Sequence, residues 1–564
     1  MQKSCASCGS NFEITDDDLA FLGKISPTFG GKIFSIPPPD LCYDCRQQRR
    51  LAQRNERNLY KRQCDMCQKN MISVYSSDKQ TPVYCPTCWY GDGWDPLTHQ
   101  LEYDFHRSFF EQFHDLWRGF PKMGILTIGD NINSEYIHNG YRLKNCYLIF
   151  DGEQAEDSYY GELYGLIKDC CDFFFLKECQ LCYECVLCQN CFDLQYSRFC
   201  SNCSNSLFLL DCVSCRNCIG CVNLRQKEYH IFNEPVSEEE FERRKHEFHL
   251  ETHSGVESLR AKCEKFFLSK PRRASRGLHN ENVSGDNLHE CKDTFHSFDC
   301  LGVRDGRYCT NCMMGGNDIG DIDAWGDQLS VAYNCAYIGA GANSLIGCFY
   351  VGMGASNVYY SMFCMLGASH CFGCVGLKKH SYCILNKQYS KEEYEALIPK
   401  IIHEMENDNE WGAFFPPNLS AFAYNETVAQ DYFPLTKEQA IAKGWSWRDK
   451  IEEMQNVEKV IDANLLPDSI ADIPDDILNW ALRCESTKHP YRIQKAELAF
   501  YRKMNIPIPR KHFDVRHAER IALRNPRKLW KRACGKCGKE MQTTYAPERP
   551  EIVYCEECYL KEVY

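Results

Sequence analysis

The chain has no apolar run approaching the roughly 18 residues that a membrane-crossing helix needs, so no membrane partner is expected. Its first ten residues, MQKSCASCGS, hold no apolar h-region, and a soluble cytoplasmic protein is the expectation. Positive charge is not in excess either. With 65 basic and 77 acidic side chains the net charge is -12, so any contact with nucleic acid or anionic lipid has to be local. No GxSxG, P-loop, HExxH or dinucleotide-binding glycine motif stands in a supporting context, which leaves catalytic residues unassigned and a non-enzymatic protein expected. His370 stands beside Cys371, but residues adjacent in sequence need not face each other.

Cysteine is abundant instead. Thirty-eight cysteines in a 564-residue chain in which no signal peptide is expected point to metal ligation or packed thiols rather than to a disulfide scaffold. Cys64, Cys67, Cys85 and Cys88 form CxxC, seventeen residues, CxxC, and Cys534, Cys537, Cys555 and Cys558 repeat that spacing without a gap. Two residues between cysteines let both thiolates of a turn reach one Zn2+ at ~2.3 Å, and two such turns close a tetrahedral site. Each reads as a zinc ribbon. Cys5, Cys8, Cys42 and Cys45 make a third set, in which the second pair opens a helix as in a treble clef. Thr15 and Asp18 predict the N-cap of an intervening helix over about 16–24. Three Zn2+ ions are expected, each in a closed site with no position left for substrate.

Sliding the chain by 470 residues aligns RNERNLYKRQCDMC with RNPRKLWKRACGKC, so the two ribbons are duplicates. Upstream, with a further nine-residue shift, Cys5, Phe12, Ile14, Leu19, Phe21 and Lys24 meet Cys484, Tyr491, Ile493, Leu498, Phe500 and Lys503. A second clef therefore precedes the C-terminal ribbon. Its ligand positions are Cys484, Thr487, His512 and Val515, and Val515 cannot ligate, so a metal-free copy held by its apolar core is expected. Both copies also repeat a row of cations: Arg46, Arg50, Arg54, Arg57, Lys61 and Arg62 recur as Arg516, Arg520, Arg524, Arg527, Lys531 and Arg532. That spacing predicts a cationic stripe along a helix, with Pro526 restarting the second one. Such a stripe fits a nucleic-acid backbone; the competing readings are a solvated face, or Arg pairing with the protein's own carboxylates.

SCASCGSNFEITDDDLAFLGK with PPDLCYDCRQQRR resembles the small zinc-binding treble-clef domains of bacterial proteins, and TTYAPERPEIVYCEECY resembles their companion zinc ribbon. The whole chain is similar to bacterial multi-zinc-ribbon proteins over about its first 90 and last 80 residues. The resemblance implies zinc binding and no particular activity.

Between about 131 and 386 the pattern changes to short apolar bursts punctuated by Asn-Cys or Asp-Cys. Cys170, Cys191 and Cys212 lie 21 apart, as do Cys179, Cys200 and Cys221, which predicts a 21-residue β-helix coil. Every cysteine from Cys146 to Cys221 except Cys171 also falls in one phase of a count of three. A second copy follows at an offset of 153, and both end in a capped helix, Ser237 with Glu240 and Ser390 with Glu393, expected to cover the open end of its stack. The CxxC series from Cys179 to Cys191, and Cys212, Cys215, Cys218 and Cys221, read as stacked thiols, as zinc or iron-sulfur ligands, or as disulfides. Asp318, Asp321, Asp323 and Asp327 read as a Ca2+ or carbohydrate site, or as a polar turn. The aromatic stretch 409–447 is available for packing or for stacking on bases, with Thr436 and Gln439 capping a short helix.

The expected fold is multidomain and mainly β, with small α+β zinc modules flanking two duplicated parallel β-helix-like solenoids. Its expected parts are a treble clef (1–47), a basic helix with ribbon (46–92), a connector (93–130), the first solenoid (131–233), a helical connector (234–284), the second solenoid (285–387), helices with a Pro/aromatic linker (388–480), the degenerate clef with its basic helix (481–532) and the last ribbon (533–564). The expected function is a zinc-stabilised adaptor contacting RNA, DNA or a ribonucleoprotein through the basic rows, with protein partners on the solenoids. The alternatives are a metalloprotein with extra zinc or iron-sulfur clusters, and a β-helix carbohydrate binder or enzyme.

Overall fold

A computed structural model describes residues 1–449, 457 and 459–563. From Asn139 to Phe232 every third residue has a φ between 47° and 64°. This left-handed region costs an L-residue about 1–2 kcal/mol and suits Asn and Asp best, because their short polar side chains bond locally. Asn and Asp are the commonest occupants of this phase, and Val, Ile and Thr are absent from it. From Cys146 to Cys221 the residue after each corner, Gly152 excepted, is buried, and the cysteines and large apolar residues among them share one cluster through Cys179, Cys191 and Cys203. Asn-Cys is therefore a corner followed by a core position.

The chain returns beside itself every 12 residues. Ile137 pairs with Ile149, Ile149 with Gly161, Phe192 with Ser204 and Ser204 with Arg216, all parallel, within a 12-stranded sheet. The expected 21-residue period is thus corrected to 12. Both are multiples of three, so the phase of the cysteines was legible while the layer length was not. Cys179, Cys191, Cys203 and Cys215 follow one another at the true period.

Small residues at the core phase have a polar task as well as a steric one. Ser158, Ser197 and Ser206 accept from the N–H twelve residues on, at Cys170, Leu209 and Cys218 (2.9–3.2 Å). The thiols instead donate to carbonyls two residues back and nine ahead, as Cys179 does to Lys177 and Cys188 (3.3 and 3.6 Å). Cysteine gives up little volume and satisfies backbone in a dry interior.

The second sheet, 13-stranded, repeats this scheme over 281–388, but with five successive steps of 13 residues, from Val303–Gly316 to Ser356–Ser369. The extra residue appears at left-handed pairs such as Ala340-Gly341 and Met353-Gly354. Those five additions turn an offset of 148 between Asp151 and Asp299 into 153 at the far end. Helices Glu238–Glu247 and Lys391–Asn407 begin at Ser237 and Ser390 and pack on the last strands, Phe241 against Tyr229 and Tyr394 against Tyr382.

The terminal modules dock crosswise. Helix Tyr43–Leu51 of the N-terminal module lies on strands Gly316–Trp325 and Leu329–Ile338 of the second sheet, whereas its C-terminal counterpart, Phe513–Ala522, lies on Tyr159–Lys168 and Cys171–Lys177 of the first. Val83–Tyr84 of one four-cysteine module pairs in parallel with Lys122–Met123, and Val553–Tyr554 of the other with Arg272–Arg273. The aromatic stretch is packed: Trp411, Phe414, Phe415, Phe422, Tyr424 and Trp445 are all buried, and Thr436 with Gln439 caps its helix as expected. The molecule is mostly β with some helices, and among the described residues no helix is long and apolar enough to cross a membrane.

A corner test follows. Asn190, exposed at φ 52°, should lose about 1–2 kcal/mol as Asn190→Val and change by under about 0.5 kcal/mol as Asn190→Gly, read from urea midpoints. Equal losses would contradict the corner assignment.

Candidate metal centres and the buried arginine junction

The four-cysteine modules at 60–90 and 530–563 each begin with an antiparallel hairpin, Tyr60–Gln63 on Asn70–Ser73 and Trp530–Ala533 on Glu540–Thr543, in the same register. The hairpin turn carries one cysteine pair and a short helix start carries the other. In the N-terminal module, Thr15 and Asp18 form the predicted capping box on helix Asp16–Ile25, and Cys42 is the N-cap of Tyr43–Leu51. In all three sets the four Sγ atoms lie within 4.8 Å of one another. Individual pairs are 3.7 Å (Cys8–Cys42), 3.9 Å (Cys67–Cys85) and 3.7 Å (Cys537–Cys555) apart. Four thiolates ~2.3 Å from a common centre stand about 3.8 Å apart, so these sets fit a tetrahedral ion. Cys64 and Cys534 accept the N–H of Cys85 and Cys555 at 3.2 and 3.3 Å. Burial opposes ionisation of both, but backbone N–H groups outweigh it and bring Cys64 down to about 7 and Cys534 to about 6. Such thiols are ready to ligate near neutral pH.

The degenerate module is built differently at the same place. Cys484 is fully buried with its sulfur 3.3 Å from the Ser486 hydroxyl, and Val515 packs beside the cluster of Tyr491, Ile493, Leu498 and Phe500. Among the described residues no further three Cys, His, Asp or Glu donors converge within 4.8 Å, the layered thiols included. His370 stacks on Tyr382 while Cys371 points into the core and donates to Ser369 and His380 carbonyls, so the two do not meet.

The cationic rows are not surface stripes. The helices end at Leu51 and Ala522, so Arg54 and Arg57 stand in the following turn and Lys61 and Arg62 on a strand; the expected continuous helix does not form. Asn55 holds that turn through its bonds to Asn58 and the Val74 carbonyl. Arg46 and Arg50 reach Asp321 (2.9 and 3.2 Å), and Arg50 also takes Asp323 (2.5 Å) and Asn334 (3.1 Å). Arg516 and Arg520 clamp Asp172 in the first sheet. Arg54 pairs with Glu56 and Asp151, and Arg524 and Arg527 with Asp299. Arg57 reaches Asp514 of the other module at 3.5 Å. Arg62 and Arg532 hold carbonyls within their own ribbons, at Ser76 and Glu551. Of the twelve cations assigned to nucleic acid only Lys61 and Lys531 are exposed. Pairing with the protein's own carboxylates is what the rows do.

The acidic segment is absorbed by the same junction. Asp321 and Asp323 serve the arginines and Asp318 pairs with Lys24 at 2.5 Å, so these three are not gathered into a calcium or carbohydrate site, and they lie on strand Gly316–Trp325 rather than in a polar turn. The partners Asp172 and Asp299 were missed in the sequence, although their duplicate spacing, Asp151 with Asp299 and Asp172 with Asp321, was a signal available to it. In comparison with known proteins, no family model and no curated protein matches the chain.

Burial opposes ionisation of Asp323 and Asp299, yet Arg50 in one case and Arg524 with Arg527 in the other outweigh it and hold both below the usual carboxylate range. Stability from a depressed carboxyl is present above its unfolded pKa of ~3.9 and is lost as pH falls through the folded value. The protein should therefore weaken below about pH 4. Asp323→Asn should cost about 3 kcal/mol at pH 7, because it takes from buried Arg50 the nearer of its two carboxylates and leaves Asp321 shared with Arg46, and should flatten the acid slope of the urea midpoint. A variant as stable as the natural protein would remove the junction from the account.

Proposed function

We propose that the protein is a zinc-stapled binding scaffold and not an enzyme, in which each four-cysteine set holds one structural Zn2+ and both large sheets are walls of parallel β-solenoids. The observation that carries this reading is the closed thiolate geometry: four sulfurs at tetrahedral spacing leave no open coordination position for a substrate. The solenoid reading is supported by the 12-residue parallel register and by left-handed corners every third residue, four to a layer. Four tetrahedral sulfur donors suit Zn2+ or iron, and among redox-inert ions Zn2+ suits them best. Each ion ties two distant pieces of chain, and the modules so formed clamp the two sheets together through the arginine junction. The partner is inferred to be a protein met on the rigid outer faces. The arginine rows are already committed, so RNA and DNA lose the contact on which that reading stood.

Elemental analysis of the full chain should give three zinc ions per molecule with no visible absorbance and a 260/280 nm ratio of bare protein. Cys67→Ser and Cys537→Ser should each reduce the count to two. Metal well above three, or bound iron, would favour the metalloprotein reading, and co-purifying nucleic acid would restore the first expectation.

A further inference from the structure

The two terminal modules dock on their sheets in the same way, so each position in one contact has a counterpart in the other. At the C-terminal contact Tyr501 is wholly buried, and its hydroxyl lies 2.6 Å from Glu497, 3.1 Å from an Arg516 nitrogen and 3.8 Å from the Cys171 sulfur. The counterparts of those four residues in the N-terminal contact are Leu22, Asp18, Arg46 and Gly320. Leucine replaces the phenol and glycine replaces the thiol. At that place the N-terminal contact has a cavity of about 260 Å³ lined by all four, together with Tyr308 and Asp321.

The polar half of the tyrosine site is retained although the tyrosine is gone. Arg46, 6% exposed, gives Nε to Asp321 and Nη1 to the Leu41 carbonyl, and its Nη2 has no acceptor among the described residues. Asp18 accepts from Tyr308 at 3.3 Å, as Glu497 accepts from Tyr160 at 2.8 Å in the other contact. A dry cavity of roughly 150 Å³ already holds a benzene ring, so this one has room for a substituted ring. Part of the glycine's space is taken by Phe21, whose ring would stand 2.6 Å from a Cβ at Gly320.

We propose that this cavity is a binding site for a small phenol, whose ring takes the place of the Tyr501 ring and whose hydroxyl donates to Asp18 and accepts from Arg46. A polar group at that end is required because a buried guanidinium facing an apolar ligand would lose a hydrogen bond. The cavity uses none of the twelve cysteines, although Arg46 follows Cys45 directly, so absent phenol binding with three zinc ions still in place would leave the zinc reading untouched.

The test uses p-cresol with the full-length, metal-loaded protein, read by calorimetry and by thermal melting. One p-cresol should bind per chain, and toluene, which lacks the hydroxyl, should bind about tenfold more weakly. Leu22→Tyr should restore the internal phenol: it should melt higher than the natural protein and no longer respond to p-cresol. Leu22→Ala widens the cavity and should keep binding, which covers the case in which the tyrosine variant fails to fold. No binding by the natural protein, or equal binding by a folded Leu22→Tyr, overturns the proposal.

Discussion

Arg50 is wholly buried, and a charge so placed is tolerable only while Asp323 holds its Nε and Asp321 and Asn334 hold its Nη1. That requirement fixes where helix Tyr43–Leu51 sits, to within a hydrogen bond, on two strands of the second sheet. Arg516 and Arg520 impose the same requirement on Phe513–Ala522 through Asp172. Apolar packing alone would let either helix slide by a turn. Buried ion pairs add little net stability over a good apolar contact, but breaking one is costly, so they select one docking geometry against its neighbours.

The comparison between the two ends separates the role of metal from the role of docking. The N-terminal module keeps four converging thiols, whereas the C-terminal one has Cys484 beside Ser486 and a valine where a ligand would be. Both nonetheless present their arginines in the same way, the first to the second sheet and the other to the first. What the tetrad supplies locally, tying a hairpin to a helix start, the other copy obtains from the cluster around Tyr491, Leu498 and Phe500. The clamp has outlasted one of its fasteners.

The tetrads could be read from spacing because both halves of a CxxC pair are local and geometry dictates the gap. The phase of three could be read for the same reason, since left-handed corners recur within a few residues. The layer length could not, because it is set by which strand lies beside which, and cysteines 21 apart satisfy the phase as well as cysteines 12 apart do. The arginine rows were the hardest feature. A row at offsets of four and eight looks the same whether it faces water or carboxylates, and the carboxylates that decide the matter stand 275 residues away for Arg46 and 344 for Arg516. Gly320 and Leu22 carried no signal at all until the two contacts could be laid over each other.

Crosswise docking also has a consequence for how the chain is made. Asp321 emerges from the ribosome 275 residues after Arg46, a delay of roughly 14 to 55 s at 5–20 residues per second. During that interval the first module can fold around its own thiols but has no wall to rest on, and its arginine face stays wet. The first sheet meanwhile waits for Arg516 and Arg520, which follow Asp172 by 344 and 348 residues. The N-terminal contact can therefore close once Asp321, Asp323 and Asn334 have been made, whereas the first sheet is left without its arginines for longer.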